Sequence, residues 1–243
     1  NFSRSCKIQF QNRQGDLEYG WMTSWGITTR LIGAMIMIHS DDDGLVLPPK
    51  IAPKQIAIIP VVPKKNLEDK VISFCQQLKD KLSALYFAGQ ALQITFDQRE
   101  MRGGDKSWDW VKKGVPLLIE IGPKEVEKGS VSFFRRTKDA KERESLDLDT
   151  FLYQVETILA DIQQDLFTKA ATFLEKNTHS CSTLEELYDF FERGEKGFIA
   201  APYQDGVSTA KLQEDLGLTI RCLPFESQGS AATCILSGNP TTQ

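Results

Sequence analysis

Arg30 is the residue whose type and setting point most directly to chemistry. It opens a stretch, residues 31–38, that contains no charge. An apolar run of this length predicts a core helix or strand and is too short to cross a membrane. The guanidinium is always charged, and its planar fork of N–H donors suits a phosphate oxygen or a carboxylate. Two interpretations therefore stand: Arg30 is a phosphate-binding group held on rigid, buried structure, or it pairs with a carboxylate at the edge of a core.

The residues around Arg30 predict a hairpin followed by a helix. Residues 7–11 alternate in polarity as a strand does, residues 14–16 form a turn signal, and a second strand is predicted at residues 17–25. The helix is predicted over residues 29–38. Two strands and one helix cannot bury a stable core, so this segment is predicted to be the last part of a larger antiparallel sheet.

From residue 51 the pattern becomes that of an α/β sheet. A continuous apolar run at residues 55–62 predicts a strand buried on both faces. Asn66 is a candidate cap for a helix whose apolar residues recur at helical spacing from Leu67 to Leu85. Further strands are predicted at residues 92–96, 115–121 and 130–136, with a polar stretch after the first of them. This order of strands and helix predicts an open α/β sheet.

The last part of the chain, from Asp147, is predicted to be mostly helical. One apolar stripe begins at Leu148 and predicts a single long helix nearly to Asn177. A second amphipathic helix is predicted at residues 183–193, with a capping box that starts at Ser182. A small α/β unit is predicted to follow, with a helix at residues 210–216 and strands at residues 197–203, 219–225 and 232–236.

Residues 23–50 closely resemble the third signature motif of class II aminoacyl-tRNA synthetases, in the form found in prolyl-tRNA synthetases of the archaeal and eukaryotic type. In that family a strand ends in Ser-Trp-Gly, a short turn follows, and the motif arginine opens the helix behind the ATP site. Here Ser24, Trp25 and Gly26 precede Arg30 in the same order, and residues 44–50 resemble the family's link to its next domain. The resemblance continues through most of the chain.

The resemblance implies an α/β chain in three parts. Residues 1–50 would be the C-terminal part of the class II catalytic domain, at the end of its antiparallel sheet. Residues 51–146 would be an α/β anticodon-binding domain. Residues 147–243 would be a small α+β C-terminal domain particular to prolyl-tRNA synthetases.

The resemblance also implies which residues serve the activation of proline. Arg30 would act in catalysis by holding the γ-phosphate of ATP, Thr28 would touch the nucleotide, and Ser24, Trp25 and Gly26 would line the proline pocket. ATP would enter as its Mg²⁺ complex, and the protein would contribute positioning and positive charge. At the level of single residues, the alternatives are that Trp25 is ordinary core and Thr28 a helix cap.

A second implied site would read the anticodon of tRNA-Pro, whose two shared guanines suit basic donors and a glutamate acceptor. The candidates are Arg99, Lys113, Glu120, Phe134, Arg135 and Arg136. The alternatives are a cross-strand pair between Glu120 and Arg135, and merely solvated Lys112 and Lys113. The sequence departs from the family at Leu118, where a basic residue is usual, and over residues 101–105.

Many members of this family hold zinc in the C-terminal domain through four cysteines. The matching positions here are residues 201–204, 208–211 and 234–238, and only Cys234 keeps a thiol in register. A structural zinc site needs about four ligands, so no zinc is expected. His39 and the following aspartates predict a solvated helix end in place of a metal site. The predicted substitute for the metal is an apolar core made of Ile199, Leu212, Leu216, Ile220 and Ile235.

Composition limits the class of protein. The chain has 243 residues, 41% hydrophobic and 26% charged, which is typical of a globular protein of one or two domains. Its net charge of −4 means that any RNA binding must come from local patches. An odd number of cysteines without close pairing indicates reduced thiols in a cytosol. No signal peptide is recognised, and the lack of an initial methionine suggests a piece of something longer.

The expected function is that of the C-terminal portion of a prolyl-tRNA synthetase, cytoplasmic and not bound to a membrane. The full-length enzyme would be a homodimer that uses proline, ATP and tRNA-Pro, and the chain by itself is expected to be inactive. One alternative is a non-catalytic tRNA-binding paralogue, against which an intact Arg30 argues. The other is a class II synthetase for a different amino acid, against which the sequence of residues 25–30 and the extra C-terminal domain argue.

Overall fold

The computed structural model describes residues 2–62, 68–139, 142–223 and 231–242. The helices are α1 (Phe2–Ser5), α2 (Arg30–His39), α3 (Glu68–Ser83), α4 (Gly103–Lys112), α5 (Pro123–Lys128), α6 (Leu148–Lys176), α7 (Leu184–Glu192) and α8 (Ala210–Leu216). The strands are β1 (Gln9–Gln11), β2 (Leu17–Tyr19), β3 (Ile56–Pro60), β4 (Tyr86–Phe87), β5 (Gln90–Ala91), β6 (Ile94–Phe96), β7 (Leu117–Ile121), β8 (Ser130–Arg135), β9 (Glu144–Asp147), β10 (Thr178–Ser180), β11 (Phe198–Ala200), β12 (Ala232–Thr233) and β13 (Pro240–Thr241).

A mixed five-stranded sheet, in the order β6-β3-β7-β8-β9, forms the centre of the molecule. Strand β3 runs parallel to β6 and β7, whereas β8 is antiparallel to both of its neighbours. Every residue of β3 is buried, as its continuous apolar run predicts. The mixed α/β architecture predicted from the sequence is confirmed.

Both faces of the central sheet are covered. One face packs against α3 and α6 in the larger hydrophobic cluster, which includes Ile56, Leu78 and Phe133. The other face packs against the end of α4 in a smaller cluster around Leu118 and Phe134. Since neighbouring residues of a strand point to opposite faces, each position on β7 and β8 is committed to one of these two sides.

The long helices lie close to their predicted positions. The differences between the predicted and the observed elements are mainly in the short ones. Helices α3 and α6 and the predicted strands of the sheet are all present. Helices α4 and α5 and strand β9 were not predicted, because they are short, polar and partly exposed. The predicted cap Asn66 and the first stripe residue Leu67 lie outside the described residues.

Helix α7 begins one residue later than the predicted capping box implies. Thr183 is its N-cap, and its side-chain oxygen accepts a hydrogen bond from the backbone N–H of Glu186. The Glu186 carboxylate accepts in return from the backbone N–H groups of Ser182 and Thr183. The capping box is therefore formed by Thr183 and Glu186 and not by Ser182 and Glu185. The reciprocal hydrogen bonds are those that a capping box predicts.

The N-terminal segment is far more exposed than the sequence predicts. The second strand ends at Tyr19 instead of residue 25, and α2 contains no buried residue. The Trp25 side chain is 94% exposed. The prediction that α2 is a buried core helix is therefore wrong for the described residues. The apolar pattern is present, and the main element packed against α2 among the described residues is α6.

The C-terminal part combines polar contacts with the predicted apolar residues, of which all but Ile220 are half-buried. Ile220 is 44% exposed, and the segment 219–223 forms no strand; residues 224–225 of that predicted strand lie outside the described ranges. The Gln204 side-chain oxygen accepts hydrogen bonds from Ser237 Oγ at 3.0 Å and from Asn239 Nδ2 at 3.1 Å. The backbone N–H of Gln204 donates to the sulfur of Cys234. These bonds close the loop around Cys234.

The segment that connects α2 to β3 is anchored on the end of α4. The backbone N–H of Leu45 donates to the Lys112 carbonyl, and that of Leu47 donates to the Gly114 carbonyl. Gly114 has a positive φ of 73°, and a Cβ at this position would lie 2.7 Å from Leu45. Gly44 approaches the backbone of Lys112 equally closely. Glycine is therefore required on both sides of this contact.

Substitution of Gly114 by alanine tests this close approach. Gly129 is the matched control, because it also has positive φ (61°) but open space around its Cβ. Gly129→Ala is expected to lower the free energy of unfolding by about 1–2 kcal/mol, the cost of left-handed backbone alone. Gly114→Ala should cost a further ~1–3 kcal/mol, because the methyl group displaces the Leu45 backbone. Urea denaturation measures both; equal costs for the two variants would contradict the predicted clash.

Candidate functional site

An open groove of about 700 Å³ lies on the α4 side of the central sheet. Alternation along β7 and β8 brings Glu120 and Phe134 to this side, and Arg136 follows at the end of β8. Helix α4 supplies Ser107 and Trp108 to the opposite wall. Three of the six residues predicted to read an anticodon thus share one groove with a partly exposed indole.

Glu120 is held at the floor of the groove from two sides. Ser107 Oγ donates a hydrogen bond to its Oε1 at 2.8 Å. The Arg143 guanidinium donates from Nη1 to Oε2 at 2.5 Å and from Nη2 to Oε1 at 3.2 Å. The same guanidinium lies over the Phe134 ring, 5.3 Å from its centroid. A bidentate pair of this kind orients the carboxylate strongly.

Arg136 is buried and holds two segments of the chain together through its hydrogen bonds. Its Nη1 and Nη2 donate to the two oxygens of Asp41 at 2.7 and 2.5 Å, and its Nε donates to the Val111 carbonyl. The hydrogen bonds from Arg136 hold the pKa of the Asp41 carboxyl below its usual range. Arg136 therefore joins the segment after α2 to the sheet. Asp41, predicted to lie in a solvated helix end, is instead the partner of this buried arginine.

Arg99 and Lys113 lie together, but in a different cluster around Asp97 and Trp110. Arg99 donates to Asp97 from Nη2 at 2.6 Å and from Nε at 3.0 Å, and it also pairs with Asp109 at 2.8 Å. Trp110 Nε1 donates to Asp97 at 2.8 Å, and the Lys113 ammonium lies 4.5 Å from the Trp110 ring centroid. Lys113 also pairs with Asp109, so it is not merely solvated.

Two opposing influences set the pKa of Asp97, which is almost fully buried. Burial raises the pKa, but hydrogen bonds from Arg99 and Trp110 outweigh it and lower the pKa to about 2. The carboxylate is therefore charged at every physiological pH. It fixes the Arg99 guanidinium and the Trp110 ring at the end of β6.

Arg135 lies on the opposite face of the sheet. Its Nε donates to Glu144 at 2.8 Å, and its Nη1 lies 3.3 Å from Asp161 of α6. The alternative of a cross-strand pair between Glu120 and Arg135 is wrong, because the register places Arg135 opposite Leu117. The structure separates Arg135 from the groove that holds Glu120.

The residues predicted to bind ATP and proline lie on the exposed N-terminal segment. Ser24, Trp25, Gly26 and Thr28 precede α2, and Arg30 is its first residue. Among the described residues, no carboxylate lies within ion-pair distance of Arg30. The alternative in which Arg30 pairs with a carboxylate at a core edge is therefore not what this structure shows. The N-cap of α2 is Thr29, without a side-chain capping bond, and not Thr28.

Sequence reasoning missed Ser107, Trp108 and Arg143. The first two lie on α4, a segment whose polar sequence predicts no helix; the two tryptophans in this segment, Trp108 and Trp110, are the signal that indicates a site there. Arg143 reaches Glu120 across 23 positions of sequence. No local sequence pattern connects these two residues, because their contact depends on the path of the chain between β7 and β9.

The described residues contain no group of three or more His, Cys, Asp or Glu side chains that could hold a metal ion. Burial raises the pKa of the Cys234 thiol, but hydrogen bonds from Ser237 and from nearby backbone N–H groups outweigh it and lower the pKa to about 7. The five cysteines are all free thiols. None of the described helices is both long and apolar enough to span a bilayer.

Comparison with known proteins shows what this arrangement resembles. The family model for the anticodon binding domain matches residues 55–157. A proline–tRNA ligase of Protochlamydia amoebophila strain UWE25 is 43% identical over all of this chain, which covers 49% of that protein. Proline–tRNA ligase 2 of Anaeromyxobacter dehalogenans strain 2CP-C is 39% identical over 99% of the chain. The chain belongs to the prolyl-tRNA synthetase family. It spans about half the length of the curated relatives it matches.

Solved structures of prolyl-tRNA synthetase share the fold. The enzyme of Cryptosporidium parvum complexed with halofuginone and AMPPNP superposes with a TM-score of 0.84 and is 29% identical over 98% of the chain. The same enzyme complexed with L-proline and AMP gives a TM-score of 0.80 and 31% identity over 93% of the chain. Each comparison covers 48% of the solved chain. The groove around Glu120 thus lies in a part of the chain matched by an anticodon-binding family model.

Replacement of Asp97 by asparagine tests the buried hydrogen-bonded cluster. Asp97→Asn is expected to lower the free energy of unfolding by about 1–3 kcal/mol, because the charged acceptor of Arg99 and Trp110 is lost. Asp109→Asn is the matched control, since it removes a more exposed carboxylate from the same arginine and should cost about 0–1 kcal/mol.

The cost of Asp97→Asn should also depend on pH. A folded-state pKa of about 2 lies below the ordinary unfolded value of ~3.9. The carboxylate therefore contributes its full stability above about pH 4, and this is lost as pH falls toward 2. Urea denaturation of wild type and variant at pH 7, 4 and 2.5 measures the difference. A gap that stays constant over this range would contradict the assignment.

Proposed function

We propose that this chain is the C-terminal portion of a prolyl-tRNA synthetase that activates proline with ATP and transfers it to tRNA-Pro. The observation that carries the proposal is that proline–tRNA ligases match the whole chain, from the segment around Arg30 through the anticodon-binding region. The proposed division remains residues 1–50 for the end of the catalytic domain, 51–146 for anticodon binding and 147–243 for the C-terminal domain.

The exposed N-terminal segment supports a catalytic site that is completed by residues outside this chain. Apolar side chains are left uncovered in the connection between β2 and α2 and on α2 itself, including Trp21, Trp25, Ile27 and Met37. A contiguous exposed apolar surface usually marks an interface. Because the relatives are about twice as long, we propose that the rest of a class II catalytic sheet covers this surface and completes the ATP site.

In the proposed reaction the proline carboxylate attacks the α-phosphorus of ATP and pyrophosphate leaves with its bonding electrons. Arg30 would bind the γ-phosphate with its guanidinium fork and stabilise the negative charge on the leaving group. Thr28 would contact the nucleotide, which enters as its Mg²⁺ complex. Trp25, Ser24 and Gly26 would line a pocket just large enough for the proline ring. A terminal ribose hydroxyl of tRNA-Pro would then attack the prolyl carbonyl and release AMP.

The groove beside α4 supports the proposed reading of an unpaired anticodon. Single-stranded bases are recognised by stacking on aromatic rings and by hydrogen bonds to their edges. Trp108 offers a half-exposed indole, and Glu120 offers a carboxylate acceptor that suits the N–H groups of guanine. Lys138 adds positive charge at the rim. Arg136 would act indirectly by fixing the wall, and Arg99 and Lys113 would contact RNA from the neighbouring cluster.

The remaining proposals follow from the family. We propose a homodimer for the full-length enzyme, a cytoplasmic location, and a C-terminal domain without zinc. Five free thiols, two of them exposed, support a reducing compartment. The Gln204 network at Cys234 supports a loop closed by hydrogen bonds instead of metal.

Pyrophosphate exchange tests the catalytic proposal. In the full-length protein, proline-dependent ATP–pyrophosphate exchange is expected, and Arg30→Ala should cost several kcal/mol of transition-state stabilisation, on the scale of losing one preorganised charge donor. The 243-residue chain alone should show no exchange. Arg13→Ala is a suitable control, because it removes an exposed arginine from the same segment and should leave the rate unchanged. A normal rate for Arg30→Ala would show that Arg30 does not hold ATP.

Binding of tRNA tests the second half of the proposal. The full-length protein should bind tRNA-Pro with a steep salt dependence, because most affinity comes from phosphate contacts. Replacing either anticodon guanine should weaken binding by about 1–3 kcal/mol per lost bidentate contact. Fluorescence anisotropy at two salt concentrations measures this. Equal affinity for an unrelated tRNA would show that binding is non-specific, and the anticodon proposal would then be wrong.

A further inference from the structure

The pair between Arg143 and Glu120 has an unusual setting for a surface ion pair. Glu120 is 18% exposed and lies in the groove, whereas Arg143 is 44% exposed and comes from beyond the end of β8. Both carboxylate oxygens are engaged by the two terminal nitrogens of the arginine. The outward edge of the carboxylate, the one that faces an incoming ligand, is therefore already occupied.

The group that occupies this edge has the same donor pattern as guanine. The Watson–Crick edge of guanine carries two adjacent N–H donors, on N1 and on the exocyclic N2, joined through one carbon. A guanidinium presents two N–H donors in the same planar arrangement. Both fit the two oxygens of one carboxylate with parallel hydrogen bonds. Arg143 and a guanine base cannot make these bonds to Glu120 at the same time.

The stacking partner is shared as well. The Arg143 guanidinium lies 5.3 Å from the centroid of Phe134, within the range of a cation–π contact. Phe134 is buried, with an exposed fraction of only 3%. A base whose edge met Glu120 would take a position over the same ring. Arg143 therefore stands in for both interactions of a bound base, the paired hydrogen bonds and the stack.

We propose that Arg143 is an internal competitor that imitates guanine, occupies Glu120 in the free protein, and is displaced when an anticodon guanine binds. This inference rests on the proposed function and extends it to a residue that sets the affinity of the guanine site. Guanine regains the paired hydrogen bonds and the stack that Arg143 gives up. Adenine, cytosine and uracil do not offer two adjacent donors in this geometry, so they leave the exchange incomplete. The competitor thereby lowers the affinity for guanine and keeps Glu120 paired when no guanine is bound.

The displaced arginine has a further use. Its charge remains beside the groove, where it is free to pair with a backbone phosphate of the bound RNA. Ser107 stays on Oε1 of Glu120 during the exchange and keeps the carboxylate in position. The exchange therefore leaves Glu120 with hydrogen-bond partners in both states, which avoids a buried unpaired charge.

Arg143→Lys is the variant that separates competition from charge. Lysine keeps the positive charge but lacks the planar fork, so it competes less well for Glu120. In the full-length protein, Arg143→Lys should bind an anticodon stem-loop with both guanines about two- to fivefold more tightly than wild type, the scale of one partly exposed ion pair. Its affinity for a stem-loop with the guanines replaced by adenine should not change, because adenine does not displace Arg143, so the preference for guanine should rise by a similar factor. Lys138→Ala, which removes charge without touching Glu120, should weaken both RNAs equally.

Glu120→Gln completes a double-mutant cycle. In that background the guanine preference should be lost, and Arg143→Lys should no longer change the affinity for either RNA. Tighter binding by Arg143→Lys only when Glu120 is present supports the proposal. Unchanged or weaker binding by Arg143→Lys, with guanine preference intact, overturns the competitor while the anticodon function survives. A wild-type protein without any preference for tRNA-Pro overturns both.

Discussion

Strands β3 and β7 are buried on both faces, and this constraint decides where the charged groups of the central sheet can go. A strand that is covered on two sides has no room for an unpaired charge. Glu120, the one acidic residue of β7, therefore lies where α4 leaves a groove, and it is held by Ser107 and Arg143. The same alternation sends Arg135 to the opposite face, where it meets Glu144. Burial of the sheet thus places the acceptor that a base could use.

The ion pair between the buried Arg136 and the exposed Asp41 connects this sheet to the N-terminal segment. Removing one partner of such a pair would leave a buried charge without compensation, so the pair constrains position more than it adds stability. The close contact of Gly44 with Lys112, and of Gly114 with Leu45, acts at the same junction. The segment carrying Arg30 therefore leads into the groove-bearing sheet through a rigid connection. In the proposed enzyme this connection would link proline activation to anticodon binding.

The three parts of the chain are stabilised in different ways. The central sheet closes its own core, with two helices on one face and one on the other. The N-terminal segment leaves its apolar residues uncovered. The chain covers about half of each relative, so the relatives contain further protein that could cover a surface of this kind. The C-terminal loop at Cys234 is closed by hydrogen bonds to Gln204 and Asn239, and most of the predicted apolar residues beside it are half-buried. Each part thus uses a different physical means of support.

The amino-acid sequence by itself determined the long helices, the main strands of the central sheet and the family. A continuous apolar run identified β3, helical spacing identified α3 and α6, and the motif around Arg30 identified the kind of protein, because these signals are local. Only the tertiary structure decided which charged residues meet. Arg143 and Glu120 lie far apart in sequence, and Arg136 and Asp41 lie further still, so no local pattern predicts either pair. Side-chain partners depend on strand register and on the path of turns, which are set by the packing of the whole sheet.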